Sequence, residues 1–230
     1  MLKCKYYLKP AGRRGKIKIW LVDGNLIRQE LNEEFTNFGQ HYKFNSIPKY
    51  EFWLDKEAVP NEKRFFIDHL LIEWQLMKKG LGYKRAYRAA AQKEKKERIK
   101  AGDLAKVNNR QGVPDKNKIY CRRLGKTADK ISVWLVYGRL VRSAFDVNFT
   151  EGGHGLVYKY IPKNEVWLDN DITGKERPDI LLHELYERSL MDKGTSYLKA
   201  HPPASRLEWR VRHNRALLKK NLAELGWNLK

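Results

Sequence analysis

Polar and apolar residues alternate along Lys16-Ile17-Lys18-Ile19-Trp20, the pattern of a strand with one buried face. Asp23-Gly24 follows as a hairpin-turn signal, with Leu26-Ile27-Arg28 as the returning strand. Glu51-Phe52-Trp53-Leu54, entered after Pro48, predicts a third strand reached from a loop. Beyond it the apolar spacing changes from two to three and four. That change predicts a helix over about 61–79 closed by Gly80, then a second over about 83–100.

The same series of signals returns 114 residues later. Residues 19–94 align with 133–208 without a gap, and about 28 of the 76 pairs are identical. Trp20-Leu21-Val22 meets Trp134-Leu135-Val136, and Trp53-Leu54-Asp55 meets Trp167-Leu168-Asp169. The second copy predicts a strand at Glu165-Val166-Trp167-Leu168 and a helix over about 175–193 ended by Gly194. A last helix has Pro202-Pro203 in its first turn and His201 at its N-terminal edge, and runs on through Trp209, Leu217, Leu218 and Leu222. The expected fold is α+β: two tandem copies of a small antiparallel sheet covered by two helices. The expected divisions are an N-terminal unit over 1–92, a basic linker and helix extension over 93–130, and a C-terminal unit over 131–230.

The candidate chemistry lies in the second copy, at Leu182-His183-Glu184-Leu185-Tyr186-Glu187. On a helix, His183 and Glu187 stand one turn apart on one face, and Glu184 lies about 100° round from His183. Two ligands on one face beside a further carboxylate suit a divalent metal whose bound water must lose a proton. Downstream, His201, Ser205 and Glu208 share a face at i, i+4 and i+7. The ligands are therefore His183 and Glu187 with His201 or Glu208, the remaining one orienting a ligand from behind, and Glu184 is the general base. In the first copy His69, Glu73 and Glu94 match His183, Glu187 and Glu208, but Leu70 replaces Glu184 and Tyr87 replaces His201. One active and one degenerate copy fit that difference. The glycine-rich stretch Thr150-Glu151-Gly152-Gly153-His154-Gly155 adds His154 as a further ligand or loop contact.

The helix resembles that of the zincin metallopeptidases, whose pattern is H-E-x-x-H, with Glu187 at the second histidine position. The resemblance covers about six residues and the downstream His201 and Glu208, a likeness of motif only. It implies zinc, with manganese or iron made more plausible by the carboxylate, and hydrolysis of a peptide-type bond.

Composition adds a second class of function. The net charge is +20. Residues 1–18 hold seven Lys/Arg and no acid, 93–130 thirteen against five, and 206–230 seven against two. Basic arms flanking two nearly neutral bodies attract RNA or DNA in a sequence-tolerant, salt-sensitive way, with Lys95, Lys96, Arg122, Arg123, Lys219 and Lys220 as contacts. The alternative to an enzyme is thus a nucleic-acid-binding or particle-associated structural protein, in which the histidine helix is inert or holds a structural metal. Only Cys4 and Cys121 are present, without a C-x-x-C, which excludes a disulfide framework and fits a reducing cytoplasm. No apolar run has the length of a membrane span, and the first residues lack the apolar stretch of a signal peptide.

Overall fold

The computed structural model describes residues 5–57 and 62–229; Cys4 and the start of the basic N-terminal arm lie outside these. The first unit contains β1 (Tyr7–Arg14), β2 (Ile17–Val22), α1 (Gly24–Glu30), β3 (Phe38–Gln40), β4 (Glu51–Asp55), α2 (Lys63–Lys78), α3 (Tyr83–Lys100) and a short α4 (Asp103–Val107). The second repeats the order as β5 (Tyr120–Lys126), β6 (Ser132–Val136), α5 (Gly138–Ala144), β7 (Gly152–His154), β8 (Glu165–Asp169), α6 (Arg177–Asp192), α7 (Tyr197–His213) and α8 (Ala216–Glu224). Residues up to Pro114 together with 142–148 form one compact unit, and Asp115–Val141 together with the chain from Phe149 onward form the other.

Each unit is an α+β body on a four-stranded sheet, of order β1-β2-β4-β3 in the first and β5-β6-β8-β7 in the second. The sheets are mixed, not wholly antiparallel. Trp20 stands beside Trp53 and Trp134 beside Trp167 in a parallel central pair, with antiparallel neighbours on either side. The cause is local. Leu26-Ile27-Arg28 does not return as a strand but lies in α1, so the chain comes back beside β2 pointing the same way.

Asp23-Gly24 accordingly has another purpose than a hairpin. Asp23 caps α1, accepting a hydrogen bond from the Leu26 amide at 3.2 Å. Gly24 leaves room for Asp55, since a Cβ there would stand 1.8 Å from the carboxylate; at Gly138 the gap to Asp169 would be 1.9 Å. The buried Arg28 donates to the Asp55 carboxylate at 2.8 Å.

Period-two alternation sorts the strand side chains. Ile17, Ile19, Phe52 and Leu54 pack on Phe66, Ile67, Leu70 and Trp74 of α2. Val22 and Trp53 point the other way, onto Ile27, Phe35, Phe44 and Ile47. In the second unit Val133, Leu135, Val166 and Leu168 meet Ile180, Leu181 and Leu185 of α6, with Val211, Leu218 and Leu222 completing the cluster. Gly80 and Gly194 close α2 and α6 with φ of +88° and +91°, the left-handed ending expected of them.

Three expectations about the later chain are corrected. Helix α7 begins at Tyr197, so Pro202 and Pro203 lie inside it and His201 sits in its second turn. The prolines cannot donate to the carbonyls four residues earlier, and the helix survives through its packing on α6. It does not run on unbroken: Asn214 takes φ −137° and ψ 85°, and α8 is separate. Residues 93–130 begin with the expected helix extension, the end of α3 with Glu94 and Arg98 buried, and continue into α4 and β5 where a linker was expected. Among the described residues no helix is long and apolar enough to cross a membrane, and Cys121 is a free, exposed thiol.

Replacing Gly24 with Ala forces its new methyl into the Asp55 carboxylate and is expected to cost about 1–3 kcal/mol. Chemical denaturation measures this; an unchanged midpoint contradicts the account of the turn.

Candidate metal centre

Three elements of the second unit supply the site. Helix α6 carries His183, Glu184 and Glu187, and the short connection after Gly194 brings α7 back against it with His201 and Glu208. Strand β7, the edge strand of the sheet, supplies His154.

Glu187 is the meeting point. One of its oxygens, Oε2, lies 2.7 Å from His201 Nδ1 and 3.7 Å from His183 Nε2, and those two nitrogens are 3.2 Å apart. Three donors on a tetrahedral ion at about 2.0–2.1 Å stand roughly 3.3 Å from one another. The triangle already has that size, so small shifts of the side chains suffice to hold zinc. The other oxygen, Oε1, lies 2.9 Å from His154 Nε2. Because the Leu156 amide donates to His154 Nδ1 at 3.3 Å, the ring proton sits on Nε2 and is donated to Glu187. His154 thus orients the carboxylate, and with Glu184 and Glu187 it forms a second group of donor atoms close enough to hold an ion.

His183 is oriented in turn. Its Nδ1 lies 2.9 Å from Glu208 Oε2, so Nε2 faces His201 and Glu187. Glu208 accepts from Arg212 at 2.9 Å, and Arg212 also donates to Glu176 through two nitrogens, each at 2.8 Å. Of the two alternatives left open by the sequence, His201 therefore joins the ligand triangle and Glu208 stands behind His183. A histidine held by a carboxylate in this way is the usual support of a metal ligand.

The charges follow from these contacts. Burial works to raise the Glu187 carboxyl, but hydrogen bonds from His154, His183 and His201 outweigh it and hold the group far below the ordinary carboxylate range. Burial also opposes ionisation of Glu208, which His183 and Arg212 overcome. Burial lowers His183, yet Glu187 and Glu208 carry it well above its ordinary value. Glu184 differs from all of these. It receives no hydrogen bond from any described residue, one of its oxygens lies within 4.8 Å of donor atoms on His154 and Glu187, and burial raises its pKa. A desolvated carboxylate with no hydrogen bond from a described residue, beside possible metal donors, is placed to take a proton.

The first unit keeps the frame and closes the centre. His69 Nδ1 lies 2.7 Å from Glu94, Arg98 ties Glu94 to Glu62, and Gln40 donates to Glu73 at 2.6 Å where His154 donates to Glu187. The Phe38 ring stands 5.1 Å from that of His69 and the Tyr87 ring 5.0 Å from it, and His69 Nε2 is buried without a hydrogen bond. In the second unit Phe38 is replaced by Gly152, where a Cβ would stand 3.0 Å from Glu184 Oε1. Gly152 makes the space that Glu184 occupies.

The structure therefore gathers His183, Glu184, Glu187, His201, Glu208 and His154 in one place. His154 belongs to a strand, not a loop, with Gly153 lying where a Cβ would meet the Tyr158 ring at 2.6 Å. Sequence reasoning missed Gly152, Arg212 and Glu176. The repeat offset held the signal for the last two, since Arg98 and Glu62 occupy the matching places. The basic candidates Lys95 and Lys96 are exposed on α3, Arg122 and Arg123 on β5, and Lys219 and Lys220 on α8.

His69 offers a pH test free of any metal. Burial lowers its pKa, but Glu73 and Glu94 raise it above 6.5. A raised folded-state pKa means stability that is complete below 6.5 and lost as pH climbs through the folded value. The first unit should weaken as pH rises through that folded value, and His69→Gln should flatten the dependence; urea midpoints against pH measure both, and an unchanged slope in the variant contradicts the ion-pair assignment. No protein-family model, curated protein or solved structure matches this chain, so its own residues carry the functional argument.

Proposed function

We propose that the second unit is a divalent-metal-dependent hydrolase centre, with His183, His201 and Glu187 as ligands and Glu184 as general base. The observation that carries this is a buried carboxylate, with no hydrogen bond from a described residue, set beside a ligand triangle of the right size. Zinc suits two imidazoles and a carboxylate, with manganese or iron as the alternatives such a donor set allows. A bound ion would supply a Lewis acid and a water of lowered pKa. The chain's part is to hold Nε2 of His183 forward through Glu208, to fix Glu187 through His154, and to receive the water's proton on Glu184. A peptide-type bond is the substrate that the zincin resemblance suggests.

The purified protein should bind one equivalent of zinc, measured by elemental analysis after dialysis. His183→Ala should abolish binding. Glu184→Gln should keep the metal and lower hydrolysis of a general peptide library by about 10²–10⁴-fold. Absence of metal at micromolar zinc, or full turnover by Glu184→Gln, contradicts the proposal.

A second reading, binding of nucleic acid, is favoured by the exposure of Lys95, Lys96, Arg122 and Lys219, none of which has an ion-pair partner among the described residues. The two readings are compatible within one chain. Tyr120, beside Arg122 on β5, packs against Trp134 and Trp167 and is not presented for stacking.

A further inference from the structure

Away from the histidine cluster, the second unit has a cavity of about 800 Å³ between β5, the start of α6 and the C-terminal segment. Arg122, Lys126 and Arg177 line it, together with Leu181, Trp227 and Leu229, and no acidic side chain does. Arg122 and Lys126 are exposed and have no ion-pair partner among the described residues. Arg177 donates to the Asn170 carbonyl at 3.3 Å, while its Nε is buried without a hydrogen bond. The indole of Trp227 is seated on β5 at Gly125, where a Cβ would come within 2.7 Å of the ring.

We propose that this cavity binds one nucleotide of a single-stranded nucleic acid, its phosphate on Arg122, Lys126 and Arg177 and its base against Trp227. The proposal rests on the nucleic-acid reading above and gives it a location. Three cations with no carboxylate call for a multiply charged anion, and the adjoining apolar wall with one indole calls for a flat body joined to it. Paired bases in a duplex are stacked on one another, so a single strand is the form that can present one. The repeat sharpens the prediction. Lys9 and Arg13 pair along β1–β2 in the register that Arg122 and Lys126 keep along β5–β6, and Lys63 matches Arg177 at the repeat offset of 114, but the same offset carried on to Trp227 falls on the exposed Val113. The site should therefore occur once per chain.

The test is fluorescence anisotropy of a labelled ten-residue oligothymidine with the full chain at low and moderate salt. Wild type should bind with an affinity that falls steeply as salt rises. The pair Arg122→Glu and Lys126→Glu should weaken binding at least tenfold more than the equally charged pair Lys95→Glu and Lys96→Glu, and Trp227→Leu should weaken it about tenfold. Inorganic phosphate at equal ionic strength should not displace the strand. Equal losses from the two charge-reversed pairs, or full displacement by phosphate, overturn the site while leaving nucleic-acid binding intact. No binding by wild type overturns both.

Discussion

A buried charge has to be answered by another charge, and in this protein that requirement joins the two long helices of each unit. Glu176, Arg212, Glu208 and His183 form an unbroken chain of ion pairs and hydrogen bonds between α6 and α7. Glu62, Arg98, Glu94 and His69 form its counterpart between α2 and α3. Removing one member strands the others in a low-dielectric interior, typically at about 3–5 kcal/mol. The chain therefore fixes the register of the helix pair. It also determines which nitrogen of the histidine is left to face the space between helices and sheet edge, and the chemistry follows from that nitrogen.

Duplication shows which residues make the frame and which make the centre. Both units keep the histidine, the two glutamates, the arginine and the far glutamate. They differ at the points that look into the space. Phe38, Gln40, Leu70 and Tyr87 fill or cover it in the first unit; Gly152, His154, Glu184 and His201 stand there in the second. Two of these differences are coordinated, since a carboxylate at position 184 needs the room given by glycine at 152. Drift on an exposed helix would not link a strand residue to a helix residue in that way.

Much of this was legible in the chain. The repeat, the strands carrying Trp20 and Trp53, the helices closed by Gly80 and Gly194, and the grouping of His183, Glu187 and His201 follow from period and offset. What was not legible depended on contacts between distant residues. Asp23-Gly24 looks like a hairpin turn because nothing near it in sequence discloses that Asp55 fills the place of a Cβ. Pro202 and Pro203 look like a helix start because local sequence does not record the packing on α6 that sustains α7 around them. His154 looks like a loop residue because a three-residue edge strand has too little periodicity to be seen.

The most direct measurement is the anomalous-scattering map of a crystal of the full chain grown with zinc. The account predicts one strong peak about 2.0–2.1 Å from His183 Nε2, His201 Nδ1 and a Glu187 oxygen, with Glu184 beside it outside bonding distance. A peak elsewhere, or none at this cluster with zinc present in excess, would contradict it.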